Sequence, residues 1–377
     1  MSTIRQQMLD GQQPVGCSEC YQMEQHGKVS GRQRQLLKIG VTVQDFDKTM
    51  LSSPWLQEFK NSKDRDGATD QLPQDWQIDL GNFCNSACLF CEPHSSSRLA
   101  SEFKRIGFIK ELPPEAWVDD PASMDMFITT LERTPRLAYL HFIGGETLIT
   151  PAFRKILQAL VDNNLCQQVS IGFTTNLTTW DSDIVKLLCE FKEVNLGMSV
   201  ECLHPVNDYA RYGSNLATVE RMMKRWIDMA RQQDWLMQIR ITPTILTVLH
   251  LNTIYEFAMQ QGIAVESCNF LNDPAFMRPT VLTREHRETV IDRLQTWIKK
   301  QNTVAEIPVI NTRDPNQSTA QVLQDALSYV KYLETQPDES HRLPDLISYL
   351  KTMEHSRRNC VLDYLPEYEE LFRSAGY

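Results

Sequence analysis

Three thiols stand close together in one stretch of a 377-residue chain: Cys84, Cys88 and Cys91, within residues 81–97, GNFCNSACLFCEPHSSS. Soft thiolates are the usual ligands of iron-sulfur clusters, and a four-iron core normally takes one ligand at each iron. Intervals of three and two residues on one loop supply three ligands and leave one iron open for a small chelating molecule. Zinc sites prefer paired two-residue spacings with a fourth ligand nearby, and the first interval here does not match that. Phe90, directly before the last thiol, adds an aromatic face on which a purine can stack. The apolar segment Gln77-Ile78-Asp79-Leu80 reads as a strand, so the thiols sit on a loop leaving its C-terminal end.

S-adenosylmethionine, chelating through its methionine amino and carboxylate groups, is a small molecule that fits such an open corner. The stretch is similar to the C-x3-C-x-aromatic-C signature of the radical SAM family at every fixed position. The resemblance implies a [4Fe-4S] cluster on Cys84, Cys88 and Cys91 with S-adenosyl-L-methionine on the open iron, and Phe90 against the adenine. It further implies one-electron cleavage of the sulfonium and hydrogen-atom abstraction from an unactivated carbon.

The elements that must position this loop read as alternating strands and helices. Candidate strands are 77–82, 137–144, 168–176, 193–200, 236–245 and 264–271, with helical patterns near 97–106, 151–163, 181–192, 214–233 and 250–261. Such alternation builds a parallel sheet through helical crossovers. Six units are too few for the closed eight-unit barrel, so the expected fold is an α/β open, partial (β/α)6 barrel of the radical SAM kind. Ligands then lie at the C-terminal strand ends.

The remaining polar motifs fall at those ends. The second strand runs into Gly144-Gly145-Glu146, where glycines allow close approach of a backbone; the motif resembles the family's GGE, which holds the methionine amine. Thr175-Asn176 ends the third strand, similar to the family's Thr-Asn. Ser199 and Glu201, both candidate cofactor-binding residues, end the fourth, and Arg211-Tyr212-Gly213 follows. The resemblance implies that Ser199 bonds a ribose hydroxyl and that Arg211 pairs with the carboxylate of S-adenosylmethionine, a task suited to its planar fork. His94 and Glu201 are candidate proton carriers for the substrate radical, and Cys360 a candidate hydrogen-atom donor.

Residues 1–71 are polar and weakly periodic and are expected to form an N-terminal extension, with the barrel over 72–271. Within the extension Cys17 and Cys20 form a C-x2-C half-site for zinc or an auxiliary iron-sulfur cluster, its further ligands drawn from His26, Cys268 or Cys360. Beyond the barrel, 272–377 reads as mostly helical near 283–301, 318–334 and 342–355, broken by Pro308, Pro315 and Pro337. The C-x-P-x-SSS run after Cys91, the N-terminal pair followed by Glu24, Gly27, Ser30 and Arg32, and Leu365-Pro366-Glu367 resemble the twitch-domain branch of the family, which includes phage and marine bacterial members. That resemblance makes 272–377 a twitch-like appendage, although no three- or four-cysteine auxiliary motif lies in it. Cys166, Cys189 and Cys202 read as packing residues.

With 42% hydrophobic and 23% charged residues the chain has an ordinary globular composition. No apolar run of about eighteen residues and no N-terminal hydrophobic signal appear, so neither a membrane span nor export is expected. Ten cysteines without a secretory signal fit a reducing cytoplasm. A formal charge of -10 disfavours an extended nucleic-acid track. Three functions stay open: radical modification of an amino-acid or peptide carbon, the same chemistry on a nucleobase or nucleotide-linked group, and a zinc-stapled binding protein without turnover. The radical readings require an electron donor of the flavodoxin or ferredoxin type.

Overall fold

The computed structural model describes residues 2–25, 30–33, 56–69, 72–134, 136–267, 270–301 and 318–377. His26, Gly27, Cys268, Pro308 and Pro315 lie outside the described residues. Two compact units divide the chain, Met1–Leu72 and Pro73–Tyr377. In the first, helices Ser2–Leu9, Ser18–Gln25 and Leu56–Lys63 are described. Arg32 Nη2 donates to Glu24 Oε2 at 2.7 Å and Ser30 Oγ to Glu24 Oε1 at 2.5 Å, fastening the segment after the Cys17 and Cys20 pair.

The second unit carries six strands: β1 (Asp75–Asp79), β2 (Tyr139–Ile143), β3 (Ser170–Thr175), β4 (Val194–Ser199), β5 (Leu236–Ile241) and β6 (Ala264–Ser267). Every neighbouring pair is parallel and the order in the sheet follows the chain. Helices between the strands cover one face, making a partial (β/α)6 barrel with a helical extension. Alternation sorts the side chains. Leu140, Phe142, Ile171, Phe173, Leu196, Met198 and Ile239 are fully buried. Phe142, Phe153, Phe173 and Trp226 form a ladder with successive centroids 5.1, 5.6 and 5.9 Å apart. Each buried ring contributes ~2–3 kcal/mol of apolar burial. The alternate positions, Gln77, His141, Thr174, Asn195, Gln238 and Arg240, are polar and point into the barrel.

Strand boundaries depart from the sequence reading where backbone chemistry intervenes. β5 stops at Ile241, short of the expected 245, because Pro243 has no N–H for the ladder. Helix Pro121–Glu132 was not expected; Asp120 caps it, accepting from Ser123 N at 2.9 Å. Helices Arg284–Gln301, Thr319–Thr335 and Leu343–Arg357 occupy the C-terminal third. The first two pack on each other, and Thr319–Thr335 also packs on β6. An edge strand covered in this way is shielded from pairing with other chains. Among the described residues no helix is long and apolar enough to cross a membrane.

Candidate active site at the C-terminal strand ends

The loop after β1 is fixed from several directions. Ala87 N donates to Tyr212 O at 2.7 Å and Leu89 N to Ala210 O at 2.8 Å, so the segment around Cys88 pairs with the segment before Gly213. Ser97 Oγ accepts from Cys84 N at 3.2 Å, and Ser96 Oγ donates to Ser86 O at 2.6 Å while capping helix Ser97–Ile106 through Leu99 N. The serine run therefore ties the loop to the helix that follows it. Asn85 and Ser86 are joined to β3: Asn176 Nδ2 donates to Asn85 Oδ1 at 2.9 Å and to Ser86 Oγ at 3.2 Å, and Asn85 Nδ2 donates to Thr178 Oγ1 at 2.8 Å. This places the Asn176 amide on the cysteine loop, and it explains Asn85 and Thr178, which the sequence reading did not single out.

The two glycines after β2 make room for that same loop. A Cβ on Gly144 would lie 2.3 Å from Asp79 Oδ1, and one on Gly145 2.2 Å from Phe83 O; both residues have positive φ. The backbone they admit is the β1 loop. Glu146 follows with its carboxylate almost fully enclosed, accepting from Asn176 N at 2.6 Å and Leu148 N at 3.2 Å. Burial outweighs these donors and pushes its carboxyl up to about 7.

Around the thiols the electrostatics are set by one ion pair. Arg211 and Glu201 are both buried; Nη2 donates to Oε1 at 3.0 Å and Nε to Oε2. Its remaining terminal nitrogen, Nη1, lies 4.0 Å from Cys88 Sγ, and the guanidinium is 5.7 Å from the Phe90 ring centroid. The Cys88 thiol is lowered by the hydrogen bond with Cys91, with Arg211 adding to it, whereas the same bond and burial raise Cys91. Burial raises Cys84 to about 11. Ser199, at the end of β4, is half-buried in register with Arg240.

A cavity of about 370 Å³ opens beside Cys91, lined by Phe90, Cys91, Glu92, Ser95, Thr242 and the segment Phe270 to Asp273. His94 is exposed on the loop and is not part of this lining. Cys360 lies 3.3 Å from Tyr377 Oη, in a group that includes Glu354, and also outside the lining. Cys17 and Cys20 are half-buried in the N-terminal unit, at the end of the turn Val15–Cys17 and on helix Ser18–Gln25. Among the described residues no three His, Cys, Asp or Glu side chains close on a single metal ion. Three soft thiol donors on one loop, with Cys88 beside the Arg211 guanidinium, fit an iron-sulfur core that takes three protein ligands.

Comparison with known proteins follows the same segment. No curated protein matches the chain. Three solved structures similar to it have low sequence identity. Streptococcus suis SuiB bound to S-adenosylmethionine is 14% identical over 72% of this chain and 57% of its own, with a TM-score of 0.39. Native anSMEcpe with bound AdoMet is 16% identical over 63% of each chain, with a TM-score of 0.42. TsrM from Kitasatospora setae, a radical S-adenosylmethionine methyltransferase, is 13% identical over 50% of this chain and 34% of its own, at 0.33. The chain thus spans less than two thirds of the length of these proteins. Residues 78–235, which run from β1 to the end of the loop before β5 and hold all three thiols, Glu146, Asn176 and the Glu201 and Arg211 pair, match the radical SAM superfamily model, and this part of the chain is a radical SAM superfamily domain.

Proposed function

We propose that the protein is a radical SAM enzyme that takes a hydrogen atom from an unactivated carbon of an amino-acid or peptide substrate. The observation that carries this reading is the cavity beside Cys91, the last of the three thiols. It offers two carboxylates, Glu92 and Asp273, with hydroxyl, amide and apolar groups, and none of its lining residues is Lys, Arg or His. Such a wall favours amines and peptide N–H groups and repels phosphate.

Cys84, Cys88 and Cys91 would hold the [4Fe-4S] cluster, and Phe90, Gly144, Gly145, Glu146, Asn176, Ser199 and Arg211 the S-adenosylmethionine. When bound, this pair supplies one-electron cleavage of a sulfonium and a radical able to abstract hydrogen. The chain's own part is to bind, orient and exclude water. Arg211, whose Nη1 lies 4.0 Å from Cys88 Sγ, would hold the carboxylate of S-adenosylmethionine, with Glu201 fixing the rest of its fork. Glu146, poised near neutrality, can accept a proton from an ammonium group or hold its charge. His94 and Cys360, the proton-carrier and hydrogen-donor candidates of the sequence, stand outside the lining of the cavity, so the reading does not depend on them. Glu201, committed to Arg211, acts through charge.

The surroundings follow from the chemistry. An electron donor of flavodoxin or ferredoxin type and a reducing cytoplasm suit a low-potential cluster. Residues 1–71, 72–271 and 272–377 are read as extension, barrel and twitch-like appendage, placing the chain in the twitch-domain branch with its phage and marine bacterial members. Cys17 and Cys20 are read as half of an auxiliary iron-sulfur or zinc site.

Anaerobic reconstitution tests the proposal. The protein should take up iron and sulfide and, with reductant and S-adenosylmethionine, release 5'-deoxyadenosine. Zinc uptake with no nucleoside released overturns it. Replacing Cys84, Cys88 and Cys91 together with Ala should leave iron bound if Cys17 and Cys20 serve a second cluster, and complete loss of iron removes that cluster.

A further inference from the structure

The helix Leu343–Arg357 reaches the cysteine loop from more than 250 residues away in sequence. Tyr349 Oη donates to Leu89 O at 2.9 Å, and Arg357 Nη2 donates to Ala87 O at 2.8 Å. These are the carbonyls on either side of Cys88. The N–H groups of the same two residues are already taken by Ala210 O and Tyr212 O. Both peptide neighbours of Cys88 are thus held at their N–H and their carbonyl, one side by the barrel and the other by the C-terminal helix.

Each of the two donors is itself fixed. Arg357 is buried, with its side chain 2% exposed, bonds Glu102 through Nε and Nη2, and lies 4.3 Å over the Tyr212 ring. Glu102 belongs to the helix that starts at Ser97, and it also accepts from Ser356 Oγ at 2.5 Å. Tyr349 packs between Phe108, Phe103 and Phe276. A buried ion pair contributes little net stability after desolvation, so the return on burying Glu102 and Arg357 is geometric.

We propose that Tyr349 and Arg357 are positioning residues for the cysteine loop, holding Cys88 in place so that the C-terminal helix is part of the cofactor site. Their effect on a bound cluster rests on the reading that the three thiols ligate one; their effect on the loop does not.

The test uses the full-length chain as Tyr349→Phe, Arg357→Lys and, as a stability control from the same helix, Met353→Ala. In the metal-free chain, alkylation of Cys84, Cys88 and Cys91 by iodoacetamide is followed by peptide mapping. Cys88 should react on the order of tenfold faster in the first two variants, since a lost hydrogen bond frees the loop, and at the wild-type rate in the third. After reconstitution the same two variants should release iron to a chelator faster and show an altered electron paramagnetic resonance spectrum of the reduced cluster. Wild-type alkylation rates in both variants overturn the proposal, as does an equal increase in Met353→Ala. A wild-type chain that takes up no iron and sulfide removes the cluster reading, while the alkylation comparison still decides the role of the helix.

Discussion

Glu146 shows how a single residue can be read twice. As the last member of Gly-Gly-Glu it reads in the sequence as a ligand-binding acid, and in the fold it is a buried carboxyl that accepts from the backbone N–H of Asn176, directly after β3. Its carboxyl is raised from an ordinary 4.5 to about 7 by burial, ahead of the hydrogen bonds that oppose it. A group harder to ionise in the folded than in the unfolded chain favours folding most at low pH. That contribution is present below about pH 4.5 and is lost as pH rises through about 7. The shift corresponds to on the order of 3 kcal/mol. Urea denaturation of the metal-free protein should therefore show stability falling from pH 5 to pH 8, with Glu146→Gln flattening that part of the curve. An unchanged pH dependence in the variant would show that the carboxyl ionises freely in the fold.

At the scale of elements, Gly107 and Gly145, both beyond the cysteine loop in the chain, separate two uses of a positive φ. Gly107 ends helix Ser97–Ile106 with φ +83 and open space around it; Gly145 has φ +41 and the carbonyl of Phe83 where a Cβ would go. Gly107→Ala should cost about 1 kcal/mol, the ordinary penalty of a left-handed helix end. Gly145→Ala should cost about 3–4 kcal/mol, because the β1 loop must also move. Equilibrium denaturation of both variants checks the ranking, and equal costs would mean that the loop yields without strain.

The same elements show what could be read in advance. Cys84, Cys88 and Cys91 stood out by residue type and spacing, whereas Gly144-Gly145-Glu146 stood out only by its place after the second expected strand and its resemblance to a family motif. The strands were legible because their apolar runs alternate with helical periodicity. Helix Pro121–Glu132 escaped because its apolar residues do not share one face: Met126 is 68% exposed. Its Asp120-Pro121 cap was the available signal. The bonds from Asn176 to Asn85 and from Arg357 to Ala87 left no trace, since a polar contact across 91 or 270 residues has no local period.

For the whole molecule, the cavity wall opposite the cysteine loop is supplied by residues after β6 and depends on the C-terminal third. Arg278 Nε donates to Leu271 O and Asn272 O, both at 3.1 Å, and Nη1 to Glu339 Oε1 at 3.1 Å. Glu339 also accepts from Thr280 Oγ1, and its own N–H donates to Thr280 O at 3.0 Å. A single arginine thus ties the segment lining the cavity to the turn between two C-terminal helices. Removing it frees two wall carbonyls while leaving every contact of the cysteine loop intact. Arg278→Ala should raise amide hydrogen exchange across residues 270–273 on the order of tenfold, as expected for a local opening. Iron content after reconstitution and release of 5'-deoxyadenosine without substrate should stay at wild-type levels. Protection unchanged at 270–273 would show that the wall stands without Arg278. Loss of iron in the variant would show instead that the two walls of the cavity are one cooperative unit.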